Sequence, residues 1–140
     1  MRSAKGIQMP QEKSERNPLH LLVVEDHDLL RKLFSEAFRG SHVVHAASSA
    51  EEGWKLYLDK APNITFLDIG LPGASGHDLA HKIKRHDPAS YVIMATISDD
   101  TEDMEEAARN NADGFIVKPF DKKKIAGYID QYLAIHPAQS

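Results

Sequence analysis

Aspartate is a poor choice for the middle of a buried strand, and Asp68 stands at the end of the apolar run Ile64-Thr65-Phe66-Leu67. That run is too short for a buried helix and lies between Pro62-Asn63 and Gly70, so it reads as a fully buried strand of a parallel sheet. Its charged last residue then belongs at the carboxyl end, where open α/β sheets place their ligand sites. Gly70, Pro72, Gly73 and Gly76 make a loop that leaves one face of the carboxylate open. Taken alone, Asp68 could equally cap a turn. Three more strand ends decide the matter. His20-Leu21-Leu22-Val23-Val24 runs into Glu25-Asp26, Tyr91-Val92-Ile93-Met94-Ala95 into Thr96, and Asp113-Gly114-Phe115-Ile116-Val117 into Lys118-Pro119. A parallel sheet brings all these ends to one edge, and unrelated turn caps would not fall so regularly.

The charges gathered there point to a cation. Glu25, Asp26 and Asp68 carry three negative charges, and Lys118 returns one positive. Crowded carboxylates raise one another's pKa unless a cation joins them, and a divalent ion brings the sum to zero. The donors on offer are carboxylate and carbonyl oxygens without sulfur, which suits Mg²⁺, with Mn²⁺ as the alternative. Such ions bind protein through few carboxylates and keep waters and phosphate oxygens as their other ligands.

The elements that must position these residues follow in order. Residues 1–18 hold Gly, Pro, Gln, Ser and mixed charge without an apolar period, and are expected to be a disordered arm or linker. After the first strand, Leu29, Leu30, Leu33, Phe34, Ala37 and Phe38 recur at helical spacing, and Gly40 stands where a C-terminal cap is preferred. A short second strand around Val43-Val44 leads to a helix capped by Ser48 or Ser49. Glu51 and Glu52 sit at its positive end, and Ala50, Trp54 and Tyr57-Leu58 face inward before Pro62 stops it. A third helix from Gly76 to Arg85 carries Leu79, Ala80 and Ile83 on one face and breaks at Asp87-Pro88. Ser98 or Asp99 caps a fourth, whose first turns hold Asp100, Glu102, Asp103, Glu105 and Glu106. Asp121 caps the last, which reaches Leu133 or Ile135 ahead of Pro137. Five strands alternating with five helices predict an α/β fold: a doubly wound five-stranded parallel sheet of order 2-1-3-4-5 with right-handed crossovers. Its switch point falls between strands 1 and 3, which carry Glu25-Asp26 and Asp68. The folded unit is expected over residues 19–136, with 137–140 as a short tail.

Composition narrows the classes. The chain has 140 residues, 41% hydrophobic and 27% charged, enough for one domain with its own core. A net charge of −4 offers no basic footprint for nucleic acid. With no cysteine there are no disulfides, thiolate metal sites or cysteine nucleophiles. No apolar run approaches bilayer-spanning length and residues 1–18 lack the apolar segment of a signal peptide, so a cytoplasmic protein is expected.

Glu25-Asp26, Asp68 within Leu67-Asp68-Ile69-Gly70-Leu71-Pro72, Gly76, Thr96, Phe115 and Lys118-Pro119-Phe120 occur in this order. As a set they are specific, and over about residues 19–135 the chain resembles the receiver domain of two-component response regulators. The resemblance implies a flavodoxin-like receiver fold in which Asp68 accepts a phosphoryl group, with Mg²⁺, from a phosphohistidine. The donor would be a sensor histidine kinase or a histidine phosphotransfer protein. It further implies that Asp26 and Asp68 bind the metal directly, Glu25 mainly through water, and Gly70 through its backbone carbonyl. Lys118 would pair with a phosphoryl oxygen, Thr96 would turn its hydroxyl to another, and Phe115 would rotate inward as Thr96 moves. The added charge biases a two-state loop and helix. The implied readout surface is the fourth helix, fifth strand and fifth helix, presented to a downstream protein partner, with no direct binding of nucleic acid or membrane.

Three departures from the family pattern stand out. Ile97 follows Thr96 where a small residue is usual, which should restrict attacking water and slow self-dephosphorylation. Gly70 lacks a side chain to position that water and could open the site instead. Ser98-Asp99-Asp100 lengthens the link to the fourth helix. Other features have plainer readings. The acidic start of the fourth helix is expected to be a solvated face. His77 and His81, four apart, are expected to be two surface histidines and not a chelate. His27 is expected to be exposed beside the acidic pair, and Trp54 partly buried. Lys122-Lys123-Lys124 opposes the helix dipole, which suggests a partner contact.

Two competing functions share parts of this pattern. A metal-dependent phosphatase with an aspartate nucleophile needs a second Asp two residues on as general acid, where Gly70 stands, so an enzyme is not expected. A degenerate receiver acting as an unphosphorylated binding platform is favoured by Ile97 alone and opposed by Asp26, Asp68, Thr96 and Lys118. The setting is either a stand-alone regulator or a receiver from a hybrid kinase, with residues 1–18 as linker.

Overall fold

The structure, a computed structural model, describes residues 18–97, 101–119 and 121–136. The strands are β1 (His20–Val24), β2 (Val43–Ala47), β3 (Ile64–Asp68), β4 (Tyr91–Thr96) and β5 (Gly114–Val117). The helices are α1 (Asp28–Phe38), α2 (Ala50–Lys60), α3 (Gly76–His86), α4 (Thr101–Arg109) and α5 (Lys122–Ile135). All pairings are parallel in the order β2-β1-β3-β4-β5. This is the doubly wound sheet expected, and the order reverses between β1 and β3.

Alternation along the strands divides the core into two layers. Leu21, Val23, Phe66, Ile93 and Ile116 pack with Phe34 and Phe38 of α1 and Ile125 and Ile129 of α5. Leu22, Val24, Leu67, Val92 and Met94 pack with Tyr57 of α2, Leu79 and Ile83 of α3, and Ala107 of α4. β3 is buried along its whole length, as a central strand covered on both faces must be.

Helix starts follow local chemistry. The Ser49 hydroxyl accepts the Glu52 N–H at 3.1 Å, while Glu52 accepts the Ser48 N–H at 2.9 Å, so donors on both sides of the cap are satisfied. Ser75 caps α3 by accepting from Asp78 N, and Asp121 caps α5 by accepting from Lys123 N. The expected α4 cap, Ser98 or Asp99, and the loop Ser98-Asp99-Asp100 lie outside the described residues, as do Phe120 and the segments 1–17 and 137–140.

Two helices differ from the periodic reading. Leu29 and Leu33 of α1 are 58% and 52% exposed, and Leu58 of α2 is 48% exposed. On α1 the rings of Phe34 and Phe38, with Phe66 beneath, fill the contact with the sheet, leaving a narrower buried stripe than six apolar residues suggest. On α2, Tyr57 points inward and its sequence neighbour Leu58 is carried about 100° around the helix. Gly40 follows the end of α1 without a positive φ, whereas Ala61 closes α2 at φ 47°. Among the described residues no helix is long and apolar enough to cross a membrane.

Candidate functional site

Register places the site before any side chain is considered. Val24 pairs with Leu67, and Asp68 with Ala95, so Glu25, Asp68 and Ala95 fall in one row across the sheet edge. Counting two residues on from Val23, Phe66 and Ile116 puts Glu25, Asp68 and Lys118 on the face covered by α1 and α5. Thr96 and Phe115 fall on the opposite face, two and one residues beyond Met94 and Gly114 respectively. The site is therefore two half-sites that meet over the strand ends.

On the first face Lys118 Nζ lies 2.9 Å from Glu25 Oε1 and 3.1 Å from Asp68 Oδ1. Glu25 is fully buried, Asp68 is 5% exposed, and the lysine side chain is 6% exposed. A buried carboxylate is tolerable only when its oxygens are bonded. Glu25 meets that condition, because its other oxygen, Oε2, accepts the His27 N–H at 3.0 Å. Arg31 Nη1 donates to the Glu25 carbonyl at 2.8 Å, tying α1 to the end of β1. Asp68 Oδ1 also accepts the Gly70 N–H at 3.1 Å, and among the described residues no donor reaches Oδ2.

Electrostatics at the edge are unbalanced. Burial and then the neighbouring Glu25 push the Asp68 carboxyl up to about 6, against the opposing pull of Lys118 and the Gly70 N–H. Burial alone would lower the Lys118 ammonium, but its bonds and attraction to Glu25 and Asp68 outweigh that and raise it, so it stays charged. One ammonium does not neutralise the group. Glu25, Asp26 and Asp68 bring carboxylate oxygens within 4.8 Å of one another. With only hard oxygen donors, a shortage of positive charge and Asp26 on the exposed side, these residues fit a hard divalent cation.

The loop after Asp68 is held by backbone fit. A Cβ at Gly76 would stand 2.1 Å from the Asp68 carbonyl oxygen, and the Gly76 N–H donates to Ile69 O at 3.0 Å. Only glycine lets the start of α3 come so close to the Asp68 peptide. Gly70 is exposed and leaves the approach open. Thr96 is 7% exposed at the end of β4, and its carbonyl accepts the Lys118 N–H at 2.6 Å, coupling the two strand ends. Phe115 is half-buried against the core, and its backbone N–H and carbonyl both bond the Tyr128 hydroxyl at 3.3 Å. Ile97 is 79% exposed. The structure thus brings Glu25, Asp26, Asp68 and Lys118 together, with Thr96 beside them and Phe115 further along the opposite face.

Outside the edge, one expectation is corrected. His77 is not a surface histidine: it is 5% exposed, and its Nε2 lies 3.2 Å from Asp103 Oδ1 and 3.8 Å from Glu106 Oε1 on α4. His81 is exposed and takes no part. The acidic start of α4 is accordingly not all solvated face. The i, i+3 pair Asp103 and Glu106 was readable as sharing one side of a helix, but what faces it depended on α3–α4 packing. His27 is exposed as expected, and caps α1 by accepting from Leu30 N. Trp54 is half-buried, stacked on Tyr57, with Lys82 Nζ 4.7 Å from its ring centroid.

The family model for the response regulator receiver domain matches residues 21–130. The chemotaxis protein CheY of Halobacterium salinarum is 29% identical over 114 residues, covering 81% of this chain and 95% of that one. The sensory transduction protein LytT of Enterococcus faecalis is 35% identical over 117 residues, covering 81% of this chain and 47% of its own length. The chain thus spans about half the length of several of the curated relatives it matches. Among solved structures, the BeF3-activated DrrB receiver domain superposes with TM-score 0.76 at 26% identity, covering 84% of this chain and 98% of that one. A CheY-like receiver domain protein of Methanospirillum hungatei superposes with TM-score 0.79 at 24% identity, covering 84% and 95%, a likeness of fold. With the doubly wound sheet, the converged acidic residues and the lysine at its edge, the chain belongs to the response regulator receiver domain family.

Proposed function

We propose that this domain is a phosphoacceptor switch in which Asp68 takes a phosphoryl group from a phosphohistidine on a sensor histidine kinase or histidine phosphotransfer protein. The observation that carries this reading is Lys118 Nζ bonded at once to Glu25 and Asp68 at the open edge of β3. Lys118 and the Gly70 N–H both engage Oδ1, which leaves Oδ2 as the attacking oxygen. Oδ2 forms the new bond to phosphorus as the P–N bond to the donor imidazole breaks. The imidazole nitrogen leaves with the electron pair and takes a proton from water. Phosphoryl transfer asks mainly for positioning and charge stabilisation, and this edge offers both.

Lys118 is placed to follow the charge, releasing Asp68 Oδ1 for a phosphoryl oxygen. Asp26, Asp68 and the Gly70 backbone carbonyl, with Glu25 acting through water, are the groups that would hold Mg²⁺. Bound there, Mg²⁺ supplies positive charge to the transferring oxygens. Thr96 would turn its hydroxyl toward another phosphoryl oxygen, and Phe115, half-buried on the same face, would move inward with it. The surface of α4, β5 and α5 would read out the change. Exposed Met104 and Val117, with Glu105 on α4 and Lys122, Lys123 and Lys124 on α5, give that surface the mixed apolar and charged character a protein partner needs. The module is a switch and not a turnover enzyme, since Gly70 stands where a phosphatase of this geometry needs its general acid.

The test is intact mass after incubation with acetyl phosphate and Mg²⁺. A gain of one phosphoryl group, absent for Asp68→Asn and without Mg²⁺, is the expected result. No gain in a folded, Mg²⁺-binding protein would replace the switch with the unphosphorylated binding platform. The same samples give the decay rate: Ile97→Ala should speed it a few-fold if the isoleucine screens attacking water.

A further inference from the structure

A second set of ligating atoms lies away from the sheet edge, between α3 and α4. His77 in the first turn of α3 directs Nε2 at Asp103 and Glu106, at 3.2 and 3.8 Å, and all three donor atoms lie within 4.8 Å of one another. Donors bound to one ion at Zn–N and Zn–O lengths stand about 3 Å apart in octahedral geometry and about 3.4 Å apart in tetrahedral geometry. His77 Nε2 and Asp103 Oδ1 are therefore already at that spacing, and a torsion of the half-exposed Glu106 would bring in its oxygen, now 3.8 Å from Nε2. Asp103 and Glu106 are 32% and 46% exposed, so water can fill the remaining positions.

Two further observations say that something other than packing holds the histidine here. Its Nδ1 is buried without a hydrogen-bond partner among the described residues, so every polar contact of the ring runs through Nε2. A purely packed position would be filled better by an apolar side chain that leaves no such atom behind. In addition, neither Asp103 nor Glu106 meets a lysine or arginine among the described residues, so two carboxylates face an imidazole with no permanent cation beside them.

We propose that His77 Nε2, Asp103 and Glu106 bind Zn²⁺, or a divalent ion of similar borderline softness, and so join α3 to α4. The imidazole nitrogen selects against Mg²⁺, which prefers oxygen donors, and sets this site apart from the carboxylate pocket. Binding places the ion on the Nε2 lone pair and the proton of the neutral ring on Nδ1, where no acceptor stands among the described residues, a cost that the ion's bonds must outweigh. Because α4 belongs to the proposed readout surface, bound Zn²⁺ would hold that helix in its present place. This last consequence rests on the switch reading, whereas Zn²⁺ binding does not.

The experiment titrates Zn²⁺ into the chelator-stripped full chain in excess Mg²⁺, following heat by calorimetry and histidine ring ¹⁵N signals by NMR. One Zn²⁺ should bind with a shift of the His77 ring signal, and affinity should fall roughly tenfold or more in Asp103→Asn/Glu106→Gln. Those side chains are partly exposed on one helix, so a matching thermal melt confirms that the variant folds. Binding should persist in Asp26→Asn, which disables the carboxylate pocket, and in His20→Gln/His45→Gln, which removes the stacked pair whose nitrogens lie 3.0 Å apart. Amide exchange along α4 should slow with Zn²⁺ whether or not Asp68 accepts phosphate. Zn²⁺ binding that survives Asp103→Asn/Glu106→Gln unchanged, or disappears with Asp26→Asn or His20→Gln/His45→Gln, overturns the proposal.

Discussion

Among the described residues, carboxylates gather in two places and are partnered differently. At the sheet edge Glu25 and Asp68 are almost wholly buried, and the chain supplies its own cation in Lys118. Between α3 and α4, Asp103 and Glu106 are 32% and 46% exposed and, among the described residues, are paired with the imidazole of His77 and no lysine or arginine. Burial makes the difference. Carboxylates deep in the protein cannot be left without a permanent partner, because an unpaired buried charge costs several kcal/mol. Half-exposed ones are screened by water and can wait for an ion. The first cluster is thus neutralised within the fold, and the second joins one buried histidine to two half-exposed acids.

The largest test of this contrast removes the built-in cation. Lys118→Ala leaves Glu25 and Asp68 buried together, and urea denaturation in chelator should register a loss of about 3–5 kcal/mol. Mg²⁺ should restore part of it. An unchanged midpoint would mean that the lysine is not the neutralising partner. Gly76→Ala comes next: a Cβ 2.1 Å from the Asp68 carbonyl must push α3 away, at a cost of about 1–3 kcal/mol. Amide shifts should spread through β3 and the first turn of α3.

Asp68→Asn should act with the opposite sign. It removes a carboxylate that burial and Glu25 disfavour, so stability in chelator should rise by about 1–2 kcal/mol although the proposed phosphoacceptor is gone. A fall in stability would mean that the Lys118 pairing dominates over burial. The smallest effect belongs to the helix cluster: without Zn²⁺, Asp103→Asn/Glu106→Gln should change stability by no more than about 0.5 kcal/mol. A larger loss would make the His77 contacts structural in their own right and erase the contrast.

Much of this was readable in the chain. Four strands ending in Asp26, Asp68, Thr96 and Lys118, separated by helical periods, were enough for the sheet order and for one shared edge, because parallel strands place like ends together. Glycine at position 76 matched the family pattern, but its reason emerged only from the close approach of α3 to the Asp68 peptide. Leu58, expected to face inward, is 48% exposed, and Leu29 and Leu33 of the periodic run on α1 are exposed too, because periodicity marks a face without saying how wide the facing surface is. His77 is buried against the expectation for a related reason: its partner Asp103 lies on another helix, 26 residues away in sequence.

Local pattern and chemistry, then, determined the order of elements, the residues at the strand ends and the oxygen-only character of the donors gathered there. Tertiary structure decided what sequence spacing cannot hold: that Glu25 and Lys118, 93 residues apart, bond each other inside the protein, and that α3 turns His77 toward the acids of α4. The physical reason is that a residue's type sets what it can bind, but its burial and partners are set by which elements pack together.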